Sequence, residues 1–216
     1  MPLDFGFLRH HLRSALVADV MDAMDLRAQC LGPGIMPLHP SDVLVGRAFT
    51  VTVVEADTPS VPPYQGLLGA LDAIGADEVF VFPTARSGRA AVWGELVSTT
   101  CLARGVAGAL TDGLIRDTER IRQLGFPVFS TGTLPLDVNG RLDIVGHGAA
   151  VTIDGVFIRP GDLIVGDADG VAIVPVEVET DVIERALAKD AQETEFRAAV
   201  ARGMAPTTAF QRFQVL

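Results

Sequence analysis

Leu8, Leu12, Leu16 and Val20 recur at every fourth position near the start of the chain. That spacing lays one apolar stripe along a helical surface, so residues 5–25 read as one or two helices. The pattern stops at CLGPGIMPLHP, where Gly and Pro punctuate the chain. Residues 46–56, GRAFTVTVVEA, are rich in β-branched side chains and read as a strand. A Pro-rich loop, DTPSVPPYQ, leads into GLLGALDAIGADEVFVF, which reads as a helix, a Gly break and a buried strand at residues 78–82.

The middle of the chain is more regular. AAVWG (90–94) is a short apolar run ending in Gly, and ELVSTTCLARG fits a helix closed by Gly105. VAGALTDG (106–113) is a second buried strand, IRDTERIRQLG a second helix, and VFST the next strand. Strand–helix–strand–helix–strand at this spacing predicts two βαβ units with parallel, neighbouring strands. Later, Asp154-Gly155 sits between β-branched runs in VTIDGVFI, a hairpin signature. PGDLIVGDADGVAIVP gives two more strands joined by an Asp/Gly turn. Residues 176–201 read as a long charged helix with Val182, Ile183, Leu187 and Phe196 among its apolar positions. Parallel βα units with an antiparallel C-terminal portion predict a layered α/β fold over one domain, residues 1–216.

Composition narrows the chemistry. The 216 residues are 49% hydrophobic and 20% charged, enough apolar content for a sizeable core. With aromatics at only 6%, that core is built mainly from aliphatic side chains. The net charge is −10 and no Lys or Arg cluster interrupts it, so no nucleic-acid partner is expected. Lys189 is the single lysine, which leaves Schiff-base chemistry almost no candidate. Cys30 and Cys101 share no metal-ligand spacing, and each is expected as a buried free thiol. The opening MPLDFGFLRHHLRSALV lacks the plan of a signal peptide, and no apolar run reaches the ~20 residues of a membrane span. A soluble cytoplasmic protein with no membrane partner is the expectation.

Chemistry concentrates in GELVSTTCLARGVAGALTDGLIRDTE, residues 94–119. Glu95 follows one predicted strand and opens a helix; Arg116 and Asp117 follow the next strand and open another. Parallel neighbouring strands would bring both junctions to one sheet edge, where open α/β sheets bind ligands. Helix N-termini offer unpaired amides to an anion, and Arg116 adds a fork matched to carboxylates. Asp117 and Glu95 add hard oxygen donors suited to Mg²⁺ or Mn²⁺ that keeps several waters. The alternative is plain: acids in a helix's first turn are favourable through the helix dipole alone. Gly94 and Gly113 sit at strand ends where a ligand could approach the backbone. Asp112 is read as a turn former, Asp19 and Asp22 as a solvated helix face, and DADG (167–170) as a hairpin turn. His10, His11, His39 and His147 form no metal spacing.

The stretch GELVSTTCLARGVAGALTDGLIRDTERIRQLGFPVFSTG resembles the signature of the RraA-like family, and so do GVFIRPGDLIVGDADGVAIVP and ALVADVMDAMD. That family includes metal-dependent (class II) 4-hydroxy-4-methyl-2-oxoglutarate/4-carboxy-4-hydroxy-2-oxoadipate aldolases and regulators of ribonuclease E activity. The resemblance implies a layered β/β/α swivelling fold, like that of phosphohistidine domains, assembled as a homotrimer or homohexamer. It implies a divalent metal on Asp117, and a catalytic pair of Arg116 and Glu95. The family's upstream acid, usually Asp, holds a metal-bound water; here that position is Glu95. Gly94, Leu96, Val97 and Ser98 with Arg116 would bind the substrate's carboxylate end. The implied reaction is cleavage of a 4-hydroxy-2-oxo acid to pyruvate, with oxaloacetate decarboxylation as a side activity. Glu193 is a candidate for reaching a neighbouring subunit's site. The other reading is a non-enzymatic regulatory trimer of the ribonuclease E type. A methyltransferase reading has no glycine-rich nucleoside-binding loop to stand on.

Overall fold

The computed structural model describes residues 3–215. It opens with α1 (Phe5–His11) and α2 (Ser14–Ala23), two helices separated by Leu12 and Arg13. Asp4 caps the first, its Oδ1 accepting the Phe7 amide at 2.9 Å. The whole Leu8–Leu12–Leu16–Val20 stripe is buried. Next come β1 (Met36–Pro37), β2 (Leu44–Glu55), α3 (Gln65–Ala73) and β3 (Glu78–Phe82). The middle holds β4 (Ala91–Trp93), α4 (Glu95–Ala103), β5 (Gly108–Thr111), β6 (Leu114–Ile115), α5 (Thr118–Leu124), β7 (Val128–Ser130) and β8 (Gly132–Thr133). After β9 (Leu142–His147) come two hairpins, β10 (Val151–Ile153) with β11 (Val156–Ile158), and β12 (Leu163–Asp167) with β13 (Gly170–Val174). Helices α6 (Glu179–Ala201) and α7 (Pro206–Phe213) follow.

The main sheet runs β1-β7-β5-β3-β2-β12-β13, with β9 also paired to β2. Its centre is parallel, β2 to β3 to β5 to β7, and its two flanks are antiparallel. The ends of this order nearly meet. The Leu31 amide donates to the Val171 carbonyl at 2.9 Å, and the Ile173 amide to the Gln29 carbonyl at 2.8 Å. Residues 29–31 therefore lie along β13, and a few residues later the same stretch becomes β1 beside β7. The result is a mixed α/β fold around a nearly closed, barrel-like sheet.

Period-two alternation explains why these strands read as continuous apolar runs. Leu44, Ala48, Val79, Val81, Leu110 and Phe129 point into the barrel, where they form one buried cluster. Val45, Leu163, Val165 and Val174 point outward under α1, α2 and α6. Phe80, Phe82, Ala109 and Val128 point outward on the other side, toward α3, α4 and α5. Arg47 clamps the start of α6 to β2, its Nη2 donating to Glu179 Oε1 at 2.8 Å. Cys101 lies wholly inside this packing, and burial pushes its thiol up to about 12, so it stays a protonated core group. Cys30, expected to be buried, is exposed, because its strand-like segment lies at the seam where the sheet closes.

Three further expectations change. The 90–94 strand does not join the main sheet beside 106–113; β4 pairs with the two-residue β6, and β4, β6 and β8 form a separate parallel sheet. The C-terminal helix starts at Glu179, since residues 175–178 form a turn closed by the Val178 amide on the Pro175 carbonyl (3.1 Å). β1, β6, β8, β9 and α7 are additional to the elements read from the sequence. Both Asp/Gly turns close the hairpins expected of them, Asp154 and Gly155 at φ of 49° and 80°.

Candidate active site

The site is made where the small sheet ends. The last two parallel crossovers of the main sheet detour through a short strand and a helix: β3 to β5 by way of β4 and α4, β5 to β7 by way of β6 and α5. Parallel pairing of β4 with β6 then sets two strand-to-helix junctions side by side. Gly94–Glu95 is one and Arg116–Asp117 the other. The juxtaposition expected from the sequence is present, produced by a different strand pair.

Trp93 and Ser98 fix the first junction. Trp93 Nε1 donates to Ser98 Oγ at 2.8 Å, and Ser98 Oγ donates to the Gly94 carbonyl at 3.1 Å. The indole is buried against Phe80 and Phe126, at centroid distances of 5.1 and 6.1 Å. The Ser98 amide also donates to the Gly94 carbonyl, at 3.1 Å. Ser98 is thus committed to holding the turn, which corrects its expected place among the anion-binding amides. Leu96 and Val97 are the first-turn amides left to face a ligand.

Asp117 sits at the N-cap of α5 in the left-handed region (φ 58°), a conformation non-glycine residues seldom adopt. Its side chain makes no capping hydrogen bond to α5. Instead Oδ2 accepts the Glu95 amide at 3.3 Å, across the two junctions. Asp117 therefore does not cap its own helix, and the helix dipole, which its charge still meets, does not account for the contact with the Glu95 amide. The dipole account holds at Glu119, which pairs with Arg122 and Gln123 on the same helix. Gly94 makes the approach possible: a Cβ there would lie 2.8 Å from Asp117 Oδ2 and 3.4 Å from Arg116 Cγ.

The Glu95 carboxylate is placed differently from expectation. Its Oε1 accepts the Thr99 hydroxyl at 3.0 Å, along its own helix. Glutamate is long enough to reach one turn on, so the Glu95 backbone, not its carboxylate, meets Asp117.

Arg116 is held by Asp137, itself bonded to Tyr64, and neither carries a signal in the sequence. Its Nη2 lies 3.1 Å from Asp137 Oδ1, and its Nε 3.9 Å from Asp117 Oδ2. The other Asp137 oxygen accepts the Tyr64 hydroxyl. That acceptor holds the Tyr64 phenol above its ordinary value, since the bond favours the protonated form. Tyr64, Asp137, Arg116 and Asp117 thus form one continuous polar run. They line a cavity of about 280 Å³ with Gly94, Leu96 and Val97. Arg116 and Asp117 also border a second hollow of about 330 Å³ with Thr118, Thr133 and Leu134.

A divalent ion fits this donor set. Among the described residues no three His, Cys, Asp or Glu side chains converge on a metal position. One half-exposed carboxylate with room for water is the mode Mg²⁺ adopts, because it dehydrates reluctantly. Other candidates lie elsewhere. Asp112 is buried and accepts the Thr84 and Arg86 amides at 2.5 and 3.0 Å, tying down the loop after β3. Gly113 abuts Thr84 and Thr111, not the cavity. Asp19 pairs with Lys189 between α2 and α6, and Glu193 with Arg197 (3.1 Å), both away from the junctions within this chain.

The chain is similar to known proteins over most of its length. The profile of the RraA-like family, described as Aldolase/RraA, matches residues 17–173. The chain belongs to the RraA-like family. A relative in Halalkalibacterium halodurans, provisionally named a 4-hydroxy-4-methyl-2-oxoglutarate aldolase, is 32% identical over 191 residues, spanning 88% of this chain and 86% of its own. An RraA-like crystal structure, Streptomyces coelicolor RraAS2, is described as an unusual member of the RNase ES inhibitor RraA family. It superposes with a TM-score of 0.81 at 26% identity, covering 92% of this chain and 99% of its own. An uncharacterised Pseudomonas syringae protein superposes at 0.84, with 27% identity over 97% and 98% of the two chains. No helix among the described residues is long and apolar enough to cross a membrane.

Proposed function

We propose that the protein is a divalent-metal-dependent aldolase that cleaves 4-hydroxy-2-oxo acids to pyruvate. One observation carries this reading: Asp117 leaves its own helix uncapped and turns its carboxylate to the Gly94–Glu95 junction beside Arg116. The naming of the Halalkalibacterium relative supports the same class. Oxaloacetate decarboxylation, the swivelling-domain layering and a trimer or hexamer belong to the proposal as well.

Asp117 would hold Mg²⁺ or Mn²⁺, with water in the remaining positions. When bound, the ion supplies Lewis acidity toward the 2-oxo group. The Leu96 and Val97 amides at the α4 N-terminus receive the substrate carboxylate. Arg116 binds the oxo end and faces the negative charge that grows there as the C3–C4 bond breaks. Asp137 and Tyr64 keep its guanidinium aimed before substrate arrives. The 4-hydroxyl proton leaves to a water, which Glu95 holds once its carboxylate gives up Thr99. The electron pair of the broken bond becomes the pyruvate enolate, and C3 is then protonated.

Pyruvate release from 4-hydroxy-4-methyl-2-oxoglutarate and from oxaloacetate should require Mg²⁺ or Mn²⁺ and stop in EDTA. Asp117→Ala should lower kcat/KM at least ~10³-fold with the fold intact. Equal turnover with EDTA, or a fully active Asp117→Ala variant, eliminates the aldolase. The likeness to RraAS2 favours a second reading, a ribonuclease-binding regulator. Co-purification with ribonuclease E in the absence of any pyruvate release would select it.

A further inference from the structure

Tyr64 repeats at α3 what Asp117 does at α5. Each is the N-cap of its helix, each lies in the left-handed region (φ 61° and 58°), and neither makes a capping hydrogen bond. That conformation is rare for a bulky side chain, and tyrosine is not among the residues that cap helices well. Helix stability therefore gives no reason for tyrosine at this position. Both residues line the same cavity, and among the described residues no other non-glycine residue with positive φ does so. Backbone strain held in this way clusters at working sites.

The polar wall of the cavity has an order. Asp117 stands at one end. Arg116 follows, with Nε 3.9 Å from Asp117 and Nη2 3.1 Å from Asp137. The Tyr64 hydroxyl comes last, on the other Asp137 oxygen. Two charges act on that phenol. Its bond to Asp137 favours the protonated form and holds it above its ordinary value, whereas the Arg116 guanidinium favours the phenolate. The group thus carries its proton at neutral pH and has a cation near enough to meet its charge once the proton leaves. Trp93 and Thr100, the other uncharged side-chain donors of the lining, are committed to Ser98 Oγ (2.8 Å) and to the Leu96 carbonyl (2.9 Å).

We propose that Tyr64 is a catalytic acid, its phenol giving a proton to C3 of the pyruvate enolate left when the C3–C4 bond breaks. The assignment rests on the aldolase reading and names the proton donor that reading leaves open. With the substrate carboxylate at the Leu96 and Val97 amides and the oxo group at Arg116, C3 and C4 would extend from the Asp117 end of the wall toward Asp137 and Tyr64. The phenol then exchanges its bond to Asp137 for C3. The O–H bond breaks as the C3–H bond forms, the enolate's electron pair enters the new C–H bond, and the O–H pair stays on the phenolate. The phenolate recovers a proton from the water that took the 4-hydroxyl proton, so the cycle closes with no net proton.

The same step run backward removes a proton from C3 of pyruvate. In heavy water the methyl hydrogens of pyruvate should therefore exchange for deuterium, with no carbon–carbon bond made or broken. Exchange is followed by proton NMR in Mg²⁺ buffer, beside pyruvate release from 4-hydroxy-4-methyl-2-oxoglutarate. Tyr64→Phe keeps the ring and removes the proton. It should slow exchange at least ~100-fold and slow carbon–carbon cleavage less than ~10-fold, the enolate then leaving to be protonated in solution. Trp93 is the only tryptophan and lines the cavity, so its fluorescence reports pyruvate binding, which should stay within about threefold in the variant. A residue that only aims Arg116 would move exchange and cleavage together, so a parallel fall of the two overturns the assignment. Unchanged exchange or lost pyruvate binding in Tyr64→Phe overturns it as well, and so does cleavage without exchange in the unaltered protein. An unaltered protein that neither cleaves nor exchanges removes the aldolase reading itself.

Discussion

Tyr64 is the only tyrosine in the chain, so the absorbance of its phenolate can be followed alone. Its hydroxyl donates to Asp137, and that bond raises the pKa by stabilising the protonated form. The sign follows: the stabilisation is fully present below the unfolded-state value and is lost as pH rises through the higher folded-state value. Titrated in the native protein, the phenol should therefore ionise above its ordinary value. Asp137→Asn should bring the midpoint back down and, by loosening Arg116, lower kcat more than it raises KM. An unshifted midpoint in the native protein would mean that the Tyr64–Asp137 contact does not persist in solution. This pair also marks the limit of what the sequence reveals about the site. Arg116 and Asp117 are legible because a charged dipeptide follows an apolar run and opens a helix. Tyr64 and Asp137 are 73 residues apart and come from a Pro-rich loop and an irregular stretch, so only the fold brings them together.

At the scale of elements, the strand-to-helix junctions are readable because each apolar run ends in glycine or a charge before helical spacing resumes. The partner of β4 is not readable. A two-residue strand such as β6 has no periodicity to detect, whereas β5, four buried residues long, presents the stronger signal. Packing between hairpin and helix is similarly hidden. Asp167, legible only as part of a turn, is buried where β12 meets α2 and accepts the Ser14 amide at 2.7 Å and the Ser14 hydroxyl at 2.6 Å. It also accepts the Asp169 amide at 3.0 Å, within its own turn. Helix α2 has no capping side chain of its own, so this distant carboxylate does that work. Asp167→Ala should cost about 2–3 kcal/mol, since it leaves buried donors without a charged acceptor. Urea unfolding should show a lower midpoint at an unchanged slope. A midpoint within error of the unaltered protein would place the α2 N-terminus in water instead.

At the scale of the molecule, the nearly closed sheet decides what the interior can hold. β7 and β12 are separated by three strands in the sheet order. At ~4.8 Å per step, the two would lie nearly 20 Å apart in a flat sheet. Yet a Cβ added to Gly166 on β12 would come within 3.1 Å of the Phe129 ring on β7. Only curvature brings them together, and glycine at 166 makes room for the ring. No sequence pattern announces this, because alternation shows which side chains share a face and says nothing of how far the face bends. A double-mutant cycle tests it. Gly166→Ala alone should crowd the ring and cost ~1–3 kcal/mol, and Phe129→Ala alone should leave a cavity and cost ~3–5 kcal/mol. In the double variant the new methyl enters the space the ring has left, so the combined loss should fall short of the sum by at least ~1 kcal/mol. Strict additivity would mean that the two residues do not meet, and the sheet would then have to be open in solution.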